Sequence, residues 1–367
     1  MSGARGFVPP PYPYDRLKPL EDAAARHEGG IVDLSIGTPC DAPPDAVVDA
    51  LATSGVERGY PPSIGGPRLR EAAAAWMRRR LACERVPDDA IAACVGTKEF
   101  VATLPQWLHL RTPDRDTVLY PAVSYPTYEM GALLAELRAV PYRSLDDIAA
   151  DDARRALVLW VNTPGNPTGE LADLGAAAEW GRAHRVPVFS DECYVEFTWD
   201  GPRHTILEHG LDGVVAVHSL SKRSNAAGLR VGFYAGDRDL VQYLREVRKH
   251  VGMMVPGPVQ AAAVVALDDD AHVDAQRQRY LERLEVFAKV LGSIGVDAPL
   301  PGGAFYLWVP APDGDAWAFA ERLAVDGGCL VSPGEFYGPA GASFVRIAMV
   351  QPLDRLRLVG ERLHARV

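Results

Sequence analysis

The stretch His218-Ser-Leu-Ser-Lys-Arg-Ser-Asn-Ala-Ala-Gly-Leu-Arg-Val-Gly232 sets Lys222 among small and hydroxyl-bearing residues, just after the apolar run Val214 to Val217 and eight positions before Arg230. An amine held partly out of water near a second cation loses basicity, because both influences disfavour its charged form, and the neutral amine can condense with a carbonyl. Ser219, Ser221 and Arg230 flank it with the hydroxyl donors and the fixed cation that a phosphate requires. By composition the same stretch also reads as a serine-rich loop with a solvated lysine, so the rest of the chain has to decide.

Working outward, strand-like and helix-like segments alternate. Strands are expected at Ala90 to Val95, Thr117 to Tyr120, Ala156 to Val161, Val186 to Ser190, Val214 to Ser219 and Arg230 to Gly236. Helices are expected from Gly66-Pro67 through Leu81, from Pro126 to Leu137 and from Leu171 to His184; proline suits a helix's first position, where no N–H is needed. This alternation predicts an α/β fold, a mostly parallel central sheet flanked by helices, with ligands gathering beyond the carboxyl ends of the strands. Thr97, Asn166, Asp191, Ser219 and Lys222 each follow such a strand. Gly96-Thr97-Lys98 is a strand, glycine turn and helix start in sequence, an arrangement that favours anions because the first N–H groups of a helix lack partners.

Beyond Val255 the pattern changes to an apolar helix, Val259 to Leu267, and a charged helical stretch, Asp270 to about Leu291. Strands at Ala304 to Val309, Cys329 to Ser332 and Ser343 to Met349, with helices at Asp315 to Val325 and Leu353 to His364, predict a smaller α+β domain. The expected partition is 1–45 as an arm and small-domain segment, 46–268 as the large domain and 269–367 as the small one. The first thirty residues, with Pro9-Pro10-Pro11-Tyr12-Pro13, read as irregular and as an arm lying on another surface, a second subunit included. Ile31 to Gly37 reads as a short strand ending where a missing side chain lets the backbone approach a ligand.

Composition narrows the partners. A formal charge of −10 argues against nucleic acid and anionic membranes, which reward clustered cations. The one dense basic run, Arg78-Arg79-Arg80, reads as a solvated helix end. Five scattered cysteines without a Cys-x-x-Cys pair favour free thiols over disulfides or a metal site, and no run reaches the ~18 apolar residues of a membrane span. A cytoplasmic location is expected.

These residue types fit pyridoxal phosphate, whose carbonyl Lys222 can take and whose pyridine nitrogen needs an anionic partner such as Asp191. Tyr194 and Asn166 can reach its phenolic oxygen. Each residue also has an ordinary structural reading: helix cap, core tyrosine and plain turn. Arg346, in the middle of the apolar strand Phe344-Val-Arg-Ile-Ala-Met, needs an anion because burial is unfavourable for a lone cation. A substrate carboxylate gripped bidentately and an internal salt bridge both satisfy it.

Asn166-Pro-Thr-Gly169, Asp191-x-x-Tyr194, Ser219-x-Ser-Lys222 with Arg230, and Arg346 resemble, in order and spacing across nearly the whole chain, the signature set of class I/II pyridoxal-phosphate aminotransferases of fold type I. The resemblance implies that Lys222 carries the cofactor covalently and that Asp191 pairs with its ring nitrogen. It further implies that Tyr194 and Asn166 contact the phenolic oxygen, and that Ser219, Ser221 and Arg230 hold the phosphate with Gly96, Thr97 and Lys98. Tyr125 resembles the aromatic that stacks on the ring, in preference to Tyr128. Tyr60 resembles the tyrosine these enzymes send across a homodimer interface, and Gly37 lies where the family shapes the carboxylate pocket. Ile31-Val-Asp-Leu-Ser-Ile-Gly-Thr-Pro, Ser190-Asp-Glu-Cys-Tyr, Arg248-Lys-His-Val-Gly-Met-Met-Val-Pro and Pro333-Gly-Glu-Phe-Tyr-Gly-Pro are similar to the actinobacterial type of N-succinyldiaminopimelate aminotransferase of lysine biosynthesis. That implies a remote substrate carboxylate, for which Arg223, Arg248 and Lys249 are candidates. Other transaminase specificities (aromatic, aspartate, LL-diaminopimelate) and a C–S β-lyase stay open, as does a cofactor-binding sensor, against which the chain lacks a basic recognition helix.

Overall fold

The structure is a computed structural model that describes residues 7–56, 58–83 and 86–365. Its strands are β1 (Val32–Asp33), β2 (Ile91–Cys94), β3 (Thr117–Pro121), β4 (Arg138–Tyr142), β5 (Ala156–Asn162), β6 (Val188–Asp191), β7 (Val214–Ser219), β8 (Gly232–Gly236), β9 (Tyr306–Pro310), β10 (Cys329–Leu330), β11 (Ser332–Pro333) and β12 (Phe344–Ala348).

Seven of them form one sheet in the order β2-β8-β7-β6-β5-β3-β4. Every pairing is parallel except those of β8, which runs antiparallel to β2 and β7. β5 is buried at all seven positions, as an apolar strand covered on both faces must be. One face packs Trp76, Ile91, Ala216 and Phe233 under the helices Pro67–Leu81 and Gly257–Asp268. The other packs Phe100, Tyr128, Trp160 and Tyr234 under Thr97–Arg111, Thr127–Leu134 and Arg238–Val251. The edge strand β4 is partly exposed.

The smaller unit is the antiparallel sheet β11-β12-β9 with the parallel pair β1-β10. The 23-residue helix Ala271–Ser293, about 34 Å long at 1.5 Å per residue, contributes Leu284, Phe287 and Leu291 to its core beside Leu34, Phe319, Leu323 and Val345.

Three expectations are corrected. The N-terminal segment is not irregular throughout: Pro13–Leu17 forms a 3-10 turn and Lys18–Ala24 a helix, with prolines only at helix starts, where no donor is lost. The surface it lies on includes its own chain, since Leu17, Leu20 and Ala24 lie in the small-unit core. The strand expected over 31–37 shrinks to Val32–Asp33, because Asp33 Oδ1 accepts both the N–H (2.9 Å) and the hydroxyl (2.6 Å) of Ser35 and turns the chain. The run 78–80 is not simply solvated. Arg79 pairs with Asp270 (3.1 Å) and Arg80 with the buried Glu196 (3.0 Å) and Asp274 (2.6 Å), so the helix end is tied across the fold.

Candidate active site

The carboxyl ends of β2, β5, β6 and β7 bring the expected residues to one place. Ser219 caps the short helix Leu220–Arg223 by accepting from the Ser221 N–H at 3.1 Å, which fixes Lys222 on its first turns. Lys222 Nζ donates to the Gly37 carbonyl and lies 6.0 Å from the centre of the Phe305 ring. Burial, then the positive charge of Arg346, pushes this amine down to about 8. Asp191, at the end of β6, accepts from the Tyr128 phenol (2.8 Å) and from the Cys193 N–H (3.2 Å). Burial raises its pKa against those hydrogen bonds, a direction that a cation placed beside the carboxylate reverses.

An anion cradle stands next to them. Gly96 precedes the helix Thr97–Arg111 with φ 78° and ψ 150°, and a Cβ there would lie 2.2 Å from Arg230 Nη2. Arg230 itself has a left-handed backbone, φ 54°, uncommon for a side-chain-bearing residue and found where surrounding structure over-determines it. Its guanidinium is thereby laid against a helix N-terminus, with Nη1 donating to the Ala227 carbonyl at 2.8 Å. Thr97 Oγ1 accepts from Cys193 Sγ at 3.4 Å, tying the helix start to the Asp191 turn. Lys98 lies in the first turn of that helix, and its ammonium sits 5.7 Å from the centre of the Tyr12 ring.

At the opposite end Arg346, 3 % exposed at the middle of β12, donates from Nη1 to Asn166 Oδ1 (2.9 Å) and from Nη2 to the Tyr14 phenol (3.3 Å) and the Ser35 carbonyl. Its guanidinium carbon lies 4.4 Å from the Tyr306 ring centre and 4.7 Å from that of Tyr337. Nε has no partner, and no carboxylate among the described residues reaches the guanidinium. Of the two expectations for Arg346, the internal salt bridge is therefore not formed. Asn166 N–H donates to Asn162 Oδ1 (2.7 Å) and Asn162 Nδ2 to the Asp191 carbonyl (2.9 Å), which links the loop after β5 to β6. The phenols of Tyr194 and Tyr306 lie 2.7 Å apart, and Tyr306 Oη lies 2.3 Å from where a Gly37 Cβ would stand, so Gly37 cannot carry a side chain.

The candidates for a second cation are not gathered here. Arg223 is buried against Glu196 (3.3 Å) and Asp270 (3.3 Å), and Arg248 forks onto Glu99 at 2.9 and 2.6 Å. Both guanidiniums are consumed by internal carboxylates, because at their depth an unpaired charge is unfavourable. Lys249 is exposed on a helix beside Glu246, at 3.8 Å. Tyr60 is 98 % exposed, and Tyr125 is half-buried with its ring 6.1 Å from that of Tyr128. Sequence reasoning weighed Tyr128 only as the less favoured ring-stacking aromatic and did not find its hydrogen bond to Asp191, and it passed over Tyr14, for which no local signal exists.

Comparison with known proteins agrees with this geometry. Residues 29–360 match the sequence pattern of the family described as aminotransferase class I and II. The chain is 42% identical over 362 residues to the 4-dedimethylamino-4-oxo-anhydrotetracycline transaminase OxyQ of Streptomyces rimosus, covering 96% of this chain and 99% of that one. It is 41% identical to a probable aminotransferase of Mycobacterium tuberculosis, over 98% of this chain and 87% of the other. Among solved structures, a probable N-succinyldiaminopimelate aminotransferase of Thermus thermophilus superposes with a TM-score of 0.86 at 32% identity, covering 96% and 100% of the two chains.

Proposed function

The chain belongs to aminotransferase class I and II and uses pyridoxal phosphate, and we propose that it moves an amino group between glutamate and N-succinyl-2-amino-6-ketopimelate, the transamination that yields N-succinyldiaminopimelate. When bound, the cofactor supplies an electron sink for negative charge developing at the substrate Cα. Lys222 Nζ, neutral above about pH 8, takes the proton from Cα in one half-reaction and returns one in the other. Asp191, steadied by Tyr128 and the Cys193 N–H, faces the ring nitrogen, while Tyr194 and Asn166 serve the phenolic oxygen. Gly96, Thr97, Ser219, Ser221 and Arg230 hold the phosphate, Tyr125 covers the ring, and the exposed Tyr60 completes the site of a second subunit in a homodimer.

The observation that carries the reading is Arg346: a buried guanidinium that no carboxylate among the described residues reaches calls for one from the substrate. A second acidic group is suited by Lys98, since Lys98 and Arg346 stand at the two ends of the Tyr12–Tyr14 ring pair, whose centres are 5.4 Å apart. The likeness to the Thermus thermophilus structure supports the same substrate class. A bulky aromatic ketone is the alternative, favoured by the aromatic wall of Tyr12, Tyr14, Tyr306 and Tyr337 and by the identity to the tetracycline transaminase.

The deciding experiment is a visible titration of the holoenzyme with glutamate and with N-succinyldiaminopimelate, beside a Lys222→Ala variant. Bleaching of the lysine-bound cofactor band by both amines, with no turnover in the variant, is expected. Bleaching by glutamate alone removes the succinyldiaminopimelate assignment, and absence of any band after reconstitution removes the roles given to Lys222.

A further inference from the structure

The geometry points to Tyr14 as a binding residue for the substrate carboxylate, brought onto Arg346 by the N-terminal segment. The inference rests on the aminotransferase reading only in that a carboxylate arrives at Arg346. Around that guanidinium, Asn166 Oδ1 and the Ser35 carbonyl are acceptors with no proton to give. Tyr14 differs because its phenol both accepts and donates. Its oxygen lies 3.3 Å from Arg346 Nη2 and 2.8 Å from the Tyr337 phenol. When Tyr337 and Arg346 donate into the two lone pairs of Tyr14, the Tyr14 proton is left without an acceptor, beside a cation that no carboxylate among the described residues reaches. An arriving carboxylate oxygen takes that proton as a hydrogen bond while the guanidinium holds the charge.

The segment is built to hold the phenol there. Leu17, three residues on, is buried in the small-unit core, Arg16 pairs with Glu335 at 2.7 Å, and the Arg16 guanidinium lies 4.8 Å from the Trp317 ring centre. The Tyr14 ring also packs 5.4 Å from Phe336. Tyr14 is thus tied to the unit that carries Arg346, so the two groups keep their spacing whatever the rest of the site does. Tyr12 continues the same wall toward Lys98, which places the segment between the two ends of a dicarboxylic substrate.

The test uses Tyr14→Phe holoenzyme, which keeps the ring and removes only the hydroxyl, with glutarate as a carboxylate probe and n-butylamine as an amine without one, both read through the cofactor band. One charge-assisted hydrogen bond predicts a rise of about tenfold in the glutarate Kd, with the n-butylamine response unchanged within twofold. Tyr337→Phe, which removes the donor into Tyr14, is expected to weaken glutarate in the same direction by a smaller factor. An unchanged glutarate Kd in Tyr14→Phe, equal weakening of both probes, or a wild-type enzyme that does not respond to glutarate overturns the inference. Failure of N-succinyldiaminopimelate as substrate leaves it standing, since any carboxylic substrate at Arg346 would show the same difference.

Discussion

Replacing Gly96 by alanine separates the cradle's geometry from its charge. The residue has φ 78° and ψ 150°, a region populated almost only by glycine, where a side chain adds roughly 1–3 kcal/mol of strain. The new Cβ would also stand 2.2, 2.7 and 3.3 Å from three guanidinium atoms of Arg230. Carbon and nitrogen do not approach so closely, so the guanidinium must withdraw by on the order of 1 Å, given contact distances of 3.5 Å or more. A charge-assisted hydrogen bond to phosphate contributes about 1.5–3 kcal/mol, and losing it weakens pyridoxal phosphate binding by roughly 10- to 100-fold. The assay is cofactor affinity by absorbance titration of apoprotein, with thermal unfolding of the same sample and Arg230→Lys as reference. Gly96→Ala is expected to lose both affinity and stability, whereas Arg230→Lys loses mainly affinity. A Gly96→Ala protein that unfolds earlier yet binds the cofactor within twofold of wild type would refute the placement of Arg230 on the phosphate.

Capture of pyridoxal phosphate by the apoprotein should accelerate with pH through about 8, since burial has moved the Lys222 amine there from 10.5; a rate still climbing only above pH 10 in stopped-flow absorbance would contradict that. Because the folded Lys222 binds fewer protons than the unfolded one between 8 and 10.5, Lys222→Met is expected to raise the apoprotein's Tm at pH 7. Glu192 and His218 lie 3.5 Å apart and both are buried, which lifts the carboxyl to about 8 and depresses the imidazole to about 3. The pair is therefore neutral at pH 7, and the Glu192 contribution, full below 4.5, is lost as pH rises through 8, amounting to roughly 3–5 kcal/mol. Denaturant titrations across that window should show a decline that Glu192→Gln abolishes. The His218 contribution runs the other way, full above 6.5 and lost as pH falls through 3. Finally, Glu196 joins Arg80, Arg203, Arg223 and the Trp76 indole, so Glu196→Ala strands buried cations and should destabilise by about 3–5 kcal/mol; a change under 1 kcal/mol in urea unfolding would show the network to be dispensable.

The parallel sheet was legible because fully buried strands read as apolar runs and their polar ends stand out. Val214–Ser219 and the helix Leu353–His364 fall where patterning puts them. Lys222, Asp191 and Asn166 were legible for the same reason, each lying at or a few residues beyond the end of such a run. What escaped depends on contacts between distant segments. Nothing local to Arg223 or Arg248 distinguishes a guanidinium committed to Glu196 or Glu99 from one free to meet a substrate. The helices Asp45–Thr53 and Arg238–Val251 and the strand Arg138–Tyr142 were not read, the strand because its edge position leaves it mixed in polarity. The N-terminal segment was read as irregular because its prolines dominate locally, whereas Leu17 and Leu20 fold it against a core built largely from the other end of the chain.

That last arrangement bears on the order in which the protein can be made. β1 at Val32–Asp33 pairs with β10 at Cys329–Leu330, so a segment made earlier has no partner strand until the much later β10 has been made. The large sheet, whose last strand ends at Gly236, can assemble while the early segment waits. Emergence of β10, rather than of Lys222, is then the event that gives β1 its partner. Stalled nascent chains ending near residue 300 should resist protease across 91–236 while remaining cleavable around residues 13–34.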